Sequence, residues 1–96
     1  MIYPVRLSEA ARSDLADIVR WYDSKDGSLA LRFETQAKAA FELLMQHPLA
    51  FPVVRKRVRK MNFHQFPYSI FYEMKHPEIL VLAITHHSRY PRFGHH

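Results

Sequence analysis

Hydrophobic residues change their spacing twice along this chain. Ile2, Tyr3, Val5 and Leu7 form a short β-prone run, broken by Pro4 at a place that an edge or a strand start tolerates. Ser8 follows as a candidate helix N-cap, and Glu9 lies where the positive end of a helix favours a carboxylate. Ala11, Leu15, Ile18, Val19 and Tyr22 then recur at intervals of three and four, with Arg12, Asp17, Arg20 and Asp23 off that stripe. That spacing predicts an amphipathic helix of about four turns, with Trp21 flanking the stripe as partial core. The polar stretch 24–28 interrupts the pattern, so Gly27 is expected to end the first helix and Ser28 to cap a second. Leu29, Phe33, Ala37, Ala40, Phe41 and Leu44 make the second stripe, which His47 and Pro48 stop. So short a joint predicts an antiparallel helical hairpin.

After the proline-rich link 47–52 the spacing becomes strand-like, with β-prone segments at about 58–65, 68–75 and 79–85 separated by turns at Phe66, Pro67 and "KHPE". Tight turns imply an antiparallel meander. The order β-α-α-β-β-β predicts an α+β fold, an antiparallel sheet with the helical hairpin packed on one face, in a single domain spanning 1–96. In "FPYSIFYEM", Tyr68, Ile70, Tyr72 and Met74 share one strand face and are expected in the core. The last strand is apolar on both faces: Ile79, Val81 and Ala83 on one, Leu80, Leu82 and Ile84 on the other. Two helices cover only one side of a sheet. Either loops and aromatic neighbours cover the second side, or it is an apolar groove awaiting a partner segment.

Composition narrows the partners. The chain carries 14 Lys/Arg against 9 Asp/Glu, a net charge of +5, unevenly placed. Through Val54 there are six Lys/Arg and seven Asp/Glu; from Arg55 onward there are eight and two, so the two parts carry −1 and +6. Most of that excess sits in "RKRVRK", Arg55, Lys56, Arg57, Arg59 and Lys60, which fits phosphate or an acidic protein surface. With no cysteine, disulfides and thiolate chemistry are excluded. No signal-peptide pattern is present, and the longest apolar run, 79–84, is too short to span a bilayer. A soluble cytoplasmic protein with no membrane partner is expected.

Candidate chemistry concentrates where the last strand ends, in "AITHHSRYP". His86 and His87 are adjacent, so on a strand they point to opposite sides and grip one metal poorly; with no ligand-spaced carboxylate nearby, no metal is expected. With glycine only at 27 and 94 there is no phosphate-cradling loop, and no cofactor is expected. A metal-free phosphodiester cleavage needs a base, an acid and cations, for which Arg57, Arg59, Lys60, His86, Arg89 and Tyr90 are the candidates, with His64 and His87 as further histidines. Nothing in their spacing brings them together, and polar strand ends with Tyr90 packing against the sheet are the preferred account of them. His95 and His96 resemble the start of a purification tag and are set aside.

Taken in order, "LSEAARSDLADIVRWY", Pro48, "VRK" at 54–56, "FPYSIFYEM" and "ILVLAITHHSRYP" resemble the ParE branch of the RelE/ParE superfamily of type II toxin–antitoxin toxins. The link 48–52 lacks the glycine often found there in that family. The resemblance implies a bacterial growth inhibitor in a hetero-oligomer with a cognate antitoxin, reaching operator DNA only through that antitoxin. The ending His86, Arg89, Pro91 looks like the ParE side, implying DNA gyrase as target. His86, His87, Arg89, Tyr90 and Arg92 are then the candidate target-binding residues. Arg55, Lys56, Arg57, Arg59 and Lys60 with Leu80, Leu82 and Ile84 are the candidate antitoxin-binding residues. The alternatives are a RelE-like ribosome-dependent mRNA endoribonuclease and an inactive member that only binds its antitoxin.

Overall fold

A computed structural model of the chain describes residues 2–87. Strand β1 (Val5–Leu7) leads through Ser8 into helix α1 (Glu9–Lys25). Ser8 caps that helix as its sequence suggests, its hydroxyl accepting from Ala11 N at 3.0 Å. Helix α2 (Gly27–Gln46) follows after one residue. That residue is Asp26, not the expected Gly27–Ser28 pair. Its backbone is extended, its N–H donates to the Tyr22 carbonyl at 2.8 Å, and its carboxylate accepts from Ser28 N at 2.9 Å and from the Ser28 hydroxyl at 2.8 Å. Asp26 thus closes one helix with its backbone N–H and opens the next with its carboxylate, without a left-handed residue, and Gly27 becomes the first residue of α2.

The remaining chain forms β2 (Val53–Arg55), β3 (Val58–Asn62), β4 (Tyr68–Lys75) and β5 (Glu78–His86). The sheet order is β1-β5-β4-β3-β2. The meander is antiparallel as expected, and β1 adds a parallel pairing to β5, with Val5 opposite Ile79 and Leu7 opposite Val81, so the sheet is mixed. The three-residue β2 is a strand the sequence pattern missed. β3 ends at Asn62 rather than at 65, because the chain turns through Gln65 in a left-handed conformation (φ 72°). The His76–Pro77 peptide in the β4–β5 turn is cis.

Both helices pack on one face of the sheet. Ala11 and Ile18 from α1, and Phe33, Ala37, Ala40 and Leu44 from α2, join Met61, Tyr68, Ile70, Tyr72, Ile79, Val81 and Ile84 in the main core. Phe33 is fully buried at its centre, stacked on Phe63 at 5.1 Å and edge-on to Phe66 at 5.3 Å and Tyr68 at 5.6 Å. This aromatic group ties α2 to the turn between β3 and β4. Trp21 is outside it, 54% exposed, with the Lys25 ammonium 5.3 Å from its ring.

Candidate partner-binding face

The strand pairings sort every β residue by face, and the last strand departs from strict alternation. Tyr72 pairs with Val81 but Phe71 pairs with Ala83, so Leu82 is an extra residue in β5, a β-bulge. Beyond it the phase reverses. Ile79 and Val81 point at the helices, and so does Ile84, which is 2% exposed in the main core. Leu82 and Ala83 turn to the outer face, where Ala83 packs with Val58 and Phe71 in a second, smaller cluster. The expected division into 79, 81, 83 and 80, 82, 84 is therefore corrected: Ile84 does not share a face with Leu80 and Leu82. The polar groups at the bulge are taken up by α1. Ser8 Oγ donates to the Leu82 carbonyl at 3.1 Å, and the Ile84 N–H donates to the Asp14 carboxylate at 3.0 Å. Asp14 sits beside the α1 apolar stripe, and an acid so placed was the one sequence signal for this contact.

The outer face carries Val58, Lys60 and Asn62 from β3, Ser69, Phe71, Glu73 and Lys75 from β4, and Leu80 and Leu82 from β5. It is narrower as a groove than the sequence implies. Val58, Phe71 and Ala83 are each only 7% exposed, and the Lys60 ammonium lies 5.9 Å from the centre of the Phe71 ring. Leu80 and Leu82 remain half-buried at its margin, and among the described residues no helix lies over them. Glu73 reaches Lys75 at 3.4 Å, and Glu78 holds the Arg6 guanidinium at 2.5 Å.

The five cations of 55–60 do not act as one patch. Arg59 points to the helix side of the sheet, where its guanidinium donates to the carbonyls of Leu49 at 3.4 Å and Phe51 at 2.6 Å. Tyr72 donates from its buried hydroxyl to the Pro48 carbonyl at 2.5 Å. Burial pushes the Tyr72 phenol up to about 12, the Arg59 charge nearby opposing it. Together Arg59 and Tyr72 fasten the glycine-free link 48–51 onto the sheet. Lys60 belongs to the outer face, and Arg55, Lys56 and Arg57 form the exposed tip of the β2–β3 hairpin.

The histidines are also divided. His86 is half-buried on the helix side, edge-on to Tyr68 at 5.2 Å. It helps line a groove of about 790 Å³ with Asp14, Asp17, Trp21, Lys25 and Pro67. His87 is exposed, its Nε2 3.2 Å from the Tyr68 carbonyl. Arg57 is at the hairpin tip, Lys60 is on the outer face, and Arg59 and His86 are on the helix side but on strands separated by β4, so these four do not converge as phosphodiester cleavage requires. Arg89, Tyr90 and Arg92, with His95 and His96, lie outside the described residues. Among the described residues no three His, Asp or Glu side chains are grouped to hold a metal ion, and no helix is long and apolar enough to cross a membrane.

A two-helix hairpin on one side of a five-strand mixed sheet is the fold shared with solved toxin–antitoxin structures. The sequence matches the family described as "ParE toxin of type II toxin-antitoxin system, parDE" over residues 5–91, and the chain belongs to that family. It is a toxin of the type II toxin–antitoxin class, of the ParE type. Among solved structures it is similar to the chromosomal ParDE toxin–antitoxin system from P. aeruginosa, with TM-score 0.77 and 22% identity over 88% of this chain and 96% of that one. It is also similar to the toxin–antitoxin complex RelBE2 from Mycobacterium tuberculosis, with TM-score 0.58 and 20% identity over 90% of this chain and 99% of that one. No curated protein sequence matches it.

Proposed function

We propose that this toxin restrains bacterial growth by binding DNA gyrase through protein–protein contact, and that a cognate antitoxin silences it by covering the outer sheet face. The observation that carries the antitoxin assignment is that face itself. Leu80 and Leu82 stand half-buried there with no helix over them among the described residues, and Lys60 lies across β4 from them, over Phe71. An amphipathic, partly acidic segment complements it, apolar over the two leucines and carboxylate-bearing toward Lys60. Ile84 has no part in that contact, since it lies under α1. The complex is a hetero-oligomer acting in the cytoplasm. Membership of the ParE family supports gyrase as the target. The target contact is assigned to the end of β5, His86 and His87, with Arg89, Tyr90 and Arg92 following in the sequence.

Expressing the toxin and assaying gyrase supercoiling alongside the integrity of translated mRNA tests the reading. Loss of supercoiling with intact message is expected. Message cleavage with normal supercoiling would instead assign a ribonuclease, and neither effect would leave a member that only binds its antitoxin.

A further inference from the structure

Arg55, Lys56 and Arg57 have no part in the face just assigned. Arg55 pairs with Val58 across the β2–β3 hairpin, so Lys56 and Arg57 are its two-residue loop. All three side chains are exposed. Among the described residues none of them makes a side-chain hydrogen bond or an ion pair. The local acids are already committed: from Arg55 onward the chain has only Glu73 and Glu78, held by Lys75 and Arg6. The hairpin tip is thus a concentration of positive charge without internal counter-charge, separated by β4 from β5 and its leucines. Its backbone is also unusual. Lys56 adopts φ 51°, a left-handed conformation that suits glycine or asparagine better than lysine.

We propose that this tip is a docking element for the phosphate backbone of duplex DNA, contributed by the toxin itself and independent of whether gyrase is its target. Protein interfaces centre on apolar or aromatic anchors, and the cationic loop itself offers none, Val58 beneath it being buried and the exposed Val53 and Val54 standing behind it on β2. Two strands about 4.8 Å apart with cations at their tip suit a major groove about 12 Å wide, where Arg and Lys contact flanking phosphates. Contacts of this kind set affinity and position without reading sequence.

The test measures anisotropy of a short labelled duplex of arbitrary sequence with the full chain, over a salt series. Three phosphate contacts give a slope of about −2.7 in log K against log salt, so the wild type should lose about 40-fold more affinity than R55Q/K56Q/R57Q between about 50 and about 200 mM salt. A control removing three helix charges, K25Q/R32Q/K38Q, should keep the wild-type slope. Lys56→Gly, which the backbone favours, should raise the melting temperature while shallowing the slope by about 0.9. Equal slopes for wild type and tip variant would overturn the proposal. So would an equal loss in the helix control, or a tip variant that keeps DNA binding but loses binding to polyglutamate, which would assign the tip to an acidic protein.

Discussion

Ser8 works in two directions: its oxygen accepts from Ala11 N to start α1, and its hydroxyl proton goes to the carbonyl of the bulge residue Leu82. Ser8→Ala therefore removes a helix cap and a bulge contact together, and is expected to cost about 1–3 kcal/mol in denaturant unfolding. Asp26 is the other dual-purpose residue. Its carboxyl lies below the usual range because the Ser28 backbone N–H and then the Ser28 hydroxyl favour its charged form. A depressed carboxyl stabilises the fold above its unfolded value of 3.8 and loses that contribution as pH falls through its folded value. Asp26→Asn should keep the cap and flatten this acid-side dependence, while Asp26→Ala should lower the melting temperature at neutral pH as well. Tyr72 gives the opposite sign. With its phenol raised from 10.0 to about 12, its contribution is complete below pH 10 and is lost as pH climbs toward 12. Tyr72→Phe should cost about 0.5–1.5 kcal/mol through the lost bond to Pro48 and shallow the decline in stability on the alkaline side.

The elements differ in how plainly the sequence announces them. Both helices follow from their three-and-four spacing, and Ser8 and Pro48 mark two of their ends. β4 occupies the expected Tyr68–Lys75, with Tyr68, Ile70, Tyr72 and Met74 facing the core. The joint at Asp26 is harder to read, since aspartate, glycine and serine stand in a row and each is a competent cap; the extended backbone at Asp26 decides among them. The bulge at Leu82 is hidden for a different reason. No glycine marks it, and every residue around it is apolar, so one-residue slippage leaves the pattern looking unchanged. Substitution separates the two phases: Ile84→Ala should cost about 2–5 kcal/mol because it empties core under α1, whereas Leu80→Ala at the margin of the outer face should cost much less. Equal losses at both positions would contradict the phase reversal.

At the scale of the molecule, the charge asymmetry of the sequence becomes a spatial arrangement. The helices carry most of the acids together with five cations that nearly offset them, and the cationic run 55–60 is divided among the loop fastening of Arg59, the outer face at Lys60 and the hairpin tip. Nothing in "RKRVRK" foretold that division, because it depends on alternation along β3 and on which carbonyls the 48–51 link presents. The outer face predicts its own assay. L80D/L82D should fold, because both side chains lie at a surface margin, and should weaken antitoxin binding by about 30-fold or more in a pull-down titration. Unaltered capture would remove the two leucines from the antitoxin surface.

β1 sits beside β5, with Val5 opposite Ile79 and Leu7 opposite Val81. During synthesis the opening strand therefore has no neighbour until residue 81 has been joined, and α1 must wait equally long for the backbone groups at 82 and 84 that Ser8 and Asp14 engage. A nascent chain still held on its ribosome before that point cannot assemble this sheet. The sheet thus closes only once β5 has been added, and until then the Ser8 hydroxyl and the Asp14 carboxylate lack their β5 partners.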